Sequence, residues 1–209
     1  GMKAHILYAH PEPTSFSAAM KDHASDTLRA LGWEVAISDL YADAFNPVAG
    51  RHDFIGAANP ARFHYQTEQG HAHTQHTFAP DIAREQARFA NSNLFIPIFP
   101  LWWGGVPAIL KGWFDRVLAY GFAYVDGRRF DTGHFKGMKG IAGITTGGTR
   151  ERFSDDGVYG EMDRVLWPVQ RCMIEYLGIE AEAPFVAYAA PRVDAQAREH
   201  YLTEWTQRV

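Results

Sequence analysis

Cysteine is nearly absent: Cys172 is the only one in 209 residues. No intramolecular disulfide and no multi-cysteine metal site can form. The helical, apolar setting of Cys172 predicts a buried structural thiol rather than a nucleophile. Basic charge is also in deficit, with 20 Lys and Arg against 24 Asp and Glu and a formal net charge of −4. Such a chain lacks the electrostatic footprint of nucleic-acid binding. The N-terminus shows no succession of basic, apolar and small cleavage-site residues, so no secretory signal is expected. Gly1 ahead of Met2 reads as an expression scar. Residues 89–110 carry no charge, which raises the question of a membrane span. Pro97, Pro100, Pro107 and the Gly104–Gly105 pair interrupt any spanning helix. The expectation is a cytoplasmic protein with no membrane span and no nucleic-acid partner.

What is present is a regular alternation of strand and helix patterns over one domain, residues 1–209. His5–Ala9 reads as a first strand. Phe16, Met20, Ala24, Leu28 and Leu31 recur at three- and four-residue spacing, and Gly32 closes that helix. Trp33–Leu40 is a second strand. Residues 41–79 show no strong period and read as a long excursion with short elements, more often functional than ornamental. Pro80–Asn91 is a helix and Leu94–Phe99 a third strand. The next helix, opening at Val106–Pro107, pairs Ile109, Leu110, Trp113, Phe114, Val117 and Leu118, with Lys111, Asp115 and Arg116 between them. Lys139–Thr145 is a fourth strand. Glu161–Leu177 is a helix kinked at Pro168 and stopped by Gly178. Ile179–Tyr188 is a fifth strand and Val193–Gln207 the last helix. Five strands joined by helices imply a doubly wound parallel sheet with helices on both faces.

Three loops stand where ligands bind such sheets, at the carboxyl ends of strands. HPEPTSFS (10–17) runs into a helix N-terminus, whose free amides and positive dipole end attract phosphate. Ser15 there reads either as a helix cap or as a further hydroxyl donor. FPLWWGGVPAILKGWFDR (99–116) exposes backbone beside two Trp rings, as a flat ligand requires. TTGG (145–148) offers two hydroxyls and two glycines that a ring can approach closely. Aromatic residues make up 14% of the chain, suiting pockets as well as core. His71, His73 and His76 are closely spaced but lack a matching Cys or carboxylate partner, and read as a solvated cluster with no metal.

These segments, with ITTGG and the later GVYGEMDRVLWPVQ, resemble the NAD(P)H quinone dehydrogenases, the DT-diaphorase and modulator-of-drug-activity type of flavodoxin-like flavoprotein. The likeness runs from Lys3 to about Trp205. It implies a flavodoxin-like sheet, FAD (with FMN the alternative), NAD(P)H as co-substrate and a quinone acceptor. The implied reaction is a two-electron ping-pong transfer in a homodimer whose pockets each subunit completes for the other.

Carried over by position, the resemblance assigns His10, Phe16 and Ser17 to the flavin's phosphate and ribityl side. Pro100, Leu101, Trp102, Trp103 and Gly104 pass along the isoalloxazine, with Trp103 as an aromatic wall. Thr145, Thr146, Gly147 and Gly148 meet its pyrimidine edge, and Arg198 reaches toward the adenine half of FAD. Phe153 and Tyr159 match positions where the vertebrate pattern has Tyr and His. Only Tyr159 can donate a hydrogen bond, so it is the expected catalytic donor, together with TTGG amides. Tyr124 matches a pocket tyrosine, while Asp126 replaces a second one. Gly104 stands where the family has Phe, which implies a wider pocket. No His-plus-Cys set matches the structural zinc of some members. The competing readings are azo- or nitro-reduction, an ancillary regulatory subunit of a potassium efflux system, and an electron-carrier flavodoxin.

Overall fold

The computed structural model describes residues 1–209. In chain order the sheet and helix elements are β1 (Lys3–Tyr8), α1 (Phe16–Ala30), β2 (Glu34–Asp39), α2 (Tyr65–Gln75), α3 (Pro80–Ala90), β3 (Leu94–Pro100) and α4 (Ala108–Val117). They are followed by β4 (Lys139–Gly140), β5 (Gly143–Thr145), α5 (Met162–Val165), α6 (Trp167–Val169), β6 (Glu180–Ala181), β7 (Phe185–Ala187) and α7 (Ala195–Arg208).

All pairings are parallel, and the order is β2, β1, β3, then β4 with β5, then β6 with β7. The sheet therefore has the expected five lanes, with the last two each split into two segments. The split in the fourth has a cause in the third. Leu94 and Phe95 face Lys139 and Gly140, and Ile98 faces Gly143, so Pro97 lies in the gap. Proline has no N–H to give the ladder, and pairing lapses beside it. In the fifth lane, three residues between Ala181 and Phe185 face two between Gly140 and Gly143. The extra residue is a bulge between β6 and β7.

Strand alternation divides the core between the two faces. Ile6, Tyr8, Ile96 and Ile98 pack with Met20, Ala24 and Leu28 of α1 and Trp205 of α7. Leu7, Phe95 and Phe99 pack with Phe89 of α3 and Leu110, Trp113 and Val117 of α4. This is the period-two pattern of a sheet covered on both sides. Buried indoles have polar partners: Trp205 Nε1 donates to Met20 O at 2.8 Å and Trp113 Nε1 to Glu85 Oε1 at 2.9 Å. Leu31, the last member of the α1 stripe, is 69% exposed, because the helix closes before it and Gly32 takes φ +88°.

Two other expectations change. The helix read over 161–177 is four short pieces: α5, α6, a π-turn (Gln170–Ile174) and a 3₁₀ turn (Glu175–Leu177). Pro168, without an N–H, sits at the start of α6, and the ladder never recovers a uniform register. Cys172 lies on that π-turn and is exposed, not buried. The long excursion is anchored from below by Arg116. It donates to Asp53 Oδ1 (2.8 Å), to Asp81 Oδ2 (2.9 Å) and to Asn46 O (2.8 Å). Gly112, one turn earlier, lets that segment approach: a Cβ there would meet the Pro47 backbone at 2.3 Å.

Candidate active site

The loops after β1, β3 and β5 converge at one edge of the sheet, where the strand order reverses between β1 and β3. A cavity of about 410 Å³ opens there, walled by His10, Thr14–Ser17, Pro100–Trp102, Thr145–Gly147, Ala190, Pro191 and Arg198. A second, of about 470 Å³, adjoins it. Its lining is Leu101, Trp103, Gly104, Thr146, Gly148, Phe153, Tyr159 and Val165. Leu101 and Thr146 wall both.

The first cavity is built for an anion. Ser15 caps α1 by accepting from Ala18 N at 3.0 Å, so its hydroxyl serves the helix. The amides of Phe16 and Ser17 find no acceptor within the chain and face outward at the positive end of the helix. Glu12 N donates to His10 Nδ1 at 3.0 Å. Burial lowers the His10 pKa, against the opposing pull of Glu12. A neutral ring that accepts at Nδ1 carries its proton on Nε2, leaving a donor free for a ligand. Two hydrogen bonds from Thr14 hold the Glu12 carboxyl below the usual range and brace the loop. Ser17 and Thr145 are buried and their hydroxyls lie 3.0 Å apart. One donates to the other, and one hydroxyl hydrogen remains for a third group.

The WWGG segment is a two-residue hairpin. Trp102 and Gly105 exchange both backbone hydrogen bonds at 3.0 Å, with Trp103 (φ +52°) and Gly104 (φ +69°) at the tip. Positive φ at both central positions is the type I′ signature. Glycine accepts that backbone freely, but a Trp in it is strained by about 1–2 kcal/mol. Trp103 is fully exposed, at 105%. The strain holds a large aromatic ring out over the second cavity, as is common at functional positions.

Across that cavity the Phe153 ring lies against Tyr159, centroids 4.9 Å apart, and against Gly148, where a Cβ would meet Phe153 at 2.6 Å. Gly147, Trp103 and Gly104 present amides with no partner in the chain. Arg198 reaches the first cavity with its guanidinium 5.2 Å from the Phe16 ring.

The structure thus gathers every expected cofactor residue around the two cavities, and Trp103 and Tyr159 with them. Tyr124 is the exception within one chain. Its hydroxyl accepts from Gln66 Nε2 at 2.9 Å and its ring packs against Tyr120 and Tyr176, so it lines neither cavity. Ala190, Pro191 and Val165 were not foreseen. The first two follow the fifth strand lane, where the same carboxyl-end rule points. Val165 carries no comparable signal. His71 and His73 lie on α2 and His76 is its left-handed C-cap; no three His, Cys, Asp or Glu side chains cluster at metal-ligand spacing.

The observed fold and loop chemistry agree with comparison to known proteins. A family model for the flavodoxin-like fold matches residues 2–209. NAD(P)H dehydrogenase [quinone] 1 of Cavia porcellus is 41% identical over 208 residues, covering 99% of this chain and 76% of that protein. Ribosyldihydronicotinamide dehydrogenase [quinone] of Homo sapiens is 39% identical over 210 residues, covering 100% and 91%. Among solved structures, that of a candidate quinone reductase from Klebsiella pneumoniae superposes with a TM-score of 0.95 at 34% identity, covering 100% of this chain and 83% of that one. The chain belongs to the flavodoxin-like fold family, within its NAD(P)H quinone dehydrogenase branch.

Proposed function

We propose that this chain is a flavin-dependent NAD(P)H:quinone oxidoreductase with FAD as its flavin. The observation that carries the reading is the first cavity, where the Phe16 and Ser17 amides, His10 Nε2 and the Ser17–Thr145 hydroxyls converge at the switch point of the sheet. When bound, a flavin accepts a hydride from the nicotinamide and passes it to the quinone.

The chain's own contribution is positioning and polarity. The N-terminal end of α1 and His10 would hold the flavin's phosphate, and the Leu101–Gly104 backbone would bind its ring system. The free amide of Gly147 and the Tyr159 hydroxyl would supply donors to negative charge on a bound flavin. Trp103, Phe153 and Tyr159 provide flat apolar walls between which donor and acceptor rings enter in turn. Arg198 on Phe16, with Ala190 and Pro191 in the same cavity wall, offers a cation and apolar surface to a second nucleotide half, which supports FAD over FMN. Trp103 and Tyr159 line the second cavity and are exposed, and this open apolar surface supports a homodimer in which a second copy closes it. The efflux-subunit and azo- or nitro-reductase readings are not favoured by the relatives.

The test is the visible spectrum of the purified protein under anaerobic conditions. Flavin bands that bleach with NADPH or NADH and return with menadione establish the reductase. Bound flavin that neither nicotinamide reduces removes the enzymatic reading. Reconstitution with FAD and FMN, in wild type and Arg198→Ala, decides between the flavins: the variant weakens FAD alone.

A further inference from the structure

We propose that Gly157 is a positioning residue for Tyr159. Lacking a side chain, it leaves the Arg152 carbonyl in place to hold the Tyr159 amide, which fixes where the Tyr159 hydroxyl stands at the second cavity. The inference rests on the reductase reading above, in which that hydroxyl is a donor to charge on the flavin. Gly157 itself lines neither cavity.

Residues 149–160 close on themselves. After a single 3₁₀ turn (Arg150–Phe153), Gly157 N donates to Ser154 O at 3.0 Å, Tyr159 N to Arg152 O at 2.9 Å and Gly160 N to Gly157 O at 3.1 Å. The Ser154 hydroxyl donates to Glu151 O at 2.6 Å. No backbone hydrogen bond joins these residues to the rest of the chain. Ring packing holds the loop instead. Phe153 belongs to the core, with its ring 6.0 Å from that of Tyr188, and the Arg150 guanidinium lies 4.5 Å from the Tyr188 ring centre. Phe153 is therefore the anchor, and Tyr159, stacked on it and exposed, is placed by the loop's own bonds.

Gly157 sits where those bonds cross. A Cβ there would stand 2.5 Å from the Arg152 carbonyl carbon and closer still to the carbonyl oxygens of Arg152 and Glu151. Close carbon–oxygen contacts between backbones stand at about 3.3–3.6 Å, so any side chain must push these carbonyls away by about 1 Å. Both oxygens are acceptors within the loop: Arg152 O holds Tyr159 N, and Glu151 O holds the Ser154 hydroxyl. The obstruction falls on backbone, which cannot swing aside as the end of a flexible side chain can. With Phe153 fixed in the core, the displacement passes to Tyr159. A misplacement of about 1 Å at a reacting site costs up to about a hundredfold in rate.

The experiment follows anaerobic single-turnover reduction of the bound flavin by NADPH or NADH in wild type, Gly157→Ala, Tyr159→Phe and the double variant. Hydrogen exchange of the Tyr159 amide is read by NMR in the same proteins. Gly157→Ala is expected to slow reduction by about tenfold or more. It should add less than about twofold once Tyr159 is Phe, because two changes acting through one hydroxyl are not additive. The Tyr159 amide should exchange at least about tenfold faster in Gly157→Ala. Ser154→Ala removes one bond from the same loop without adding an atom, and should speed that exchange by about twofold to tenfold.

Reduction at the wild-type rate in Gly157→Ala overturns the proposal. So does an equal slowing in both Tyr159 backgrounds, which would make the glycine a matter of folding alone. If Gly157→Ala does not fold, unchanged exchange and reduction in Ser154→Ala overturn it. Protein whose flavin neither nicotinamide reduces fails the reductase reading instead. In that case faster Tyr159 amide exchange in Gly157→Ala still upholds the placement, and unchanged exchange overturns it.

Discussion

The Tyr159 ring lies on the Phe153 ring with centroids 4.9 Å apart and planes inclined by 31°. Tyr159 is 53% exposed while Phe153 is buried. Of the pair, one ring is a fixed wall and the other an accessible hydroxyl held in place by stacking.

Tyr159→Phe keeps the stack and removes the donor. Reduction of the flavin by NAD(P)H in an anaerobic single turnover should slow by about tenfold to a hundredfold, as for other lost donors to developing charge. An unchanged rate would leave the loop amides as the only donors.

The hairpin tip predicts opposed effects on stability and activity. Trp103→Gly relieves a left-handed tryptophan and should raise the unfolding free energy by up to about 1–2 kcal/mol, read from urea midpoints. Removing the exposed ring should raise KM for quinones. Gly104→Phe has room for its Cβ but must adopt φ +69°, so it destabilises by a similar amount. It should also reduce kcat/KM for bulky quinones more than for small ones. Equal loss for both acceptors would remove Gly104 from the acceptor pocket.

Arg116 and Asp53 are both buried, at 1% and 0% exposure, and are joined at 2.8 Å. Asp53 also accepts from the Tyr65 hydroxyl. Burial and the Asp53 carboxylate push the Tyr65 pKa upward, so the phenol stays protonated as a donor. Burial raises the Asp81 pKa less than its hydrogen bond and attraction to Arg116 lower it. Arg116→Ala strands a buried carboxylate and should cost about 3–5 kcal/mol in chemical denaturation. A cost below about 1 kcal/mol would show that water readily replaces the guanidinium.

His5 predicts an acid-dependent loss of stability. It is fully buried, with Nε2 2.9 Å from Ser38 Oγ and Nδ1 without a partner. Burial, reinforced by Arg88, lowers its pKa from 6.5 to about 3. The native ring stays neutral where the unfolded ring takes up a proton. Its contribution is therefore complete above pH 6.5 and is lost as pH falls from there toward 3. At pH 5 the loss is about 2 kcal/mol. His5→Gln should flatten the pH 7-to-5 change in unfolding free energy by about that amount. A variant with the wild-type slope would place the acid sensitivity elsewhere.

Much of this molecule was legible in one dimension because its signals are local. The short apolar runs of β1 and β3, the helical stripe of α1 and the stop at Gly32 each depend on residues a few positions apart. The three ligand loops follow from the rule that sites lie beyond the carboxyl ends of parallel strands, and their residues do meet around two adjoining cavities. What escaped prediction depends on groups far apart in sequence. The breaks in the last two strand lanes need the register of Pro97 against its neighbour and a one-residue bulge, neither of which a hydrophobic pattern contains. Arg116 reads as one more charge on a helix, and only packing of the 41–79 segment converts it to a buried anchor.

The sequence by itself determined the sheet class, the positions of the ligand loops and their anion- and ring-binding chemistry, since backbone propensity and residue type decide these. The tertiary structure decided that Tyr124 lines neither cavity of its own chain and that Trp103 is held in a left-handed turn. Those outcomes depend on distances between segments that touch only after the chain has closed, and no local pattern encodes such distances.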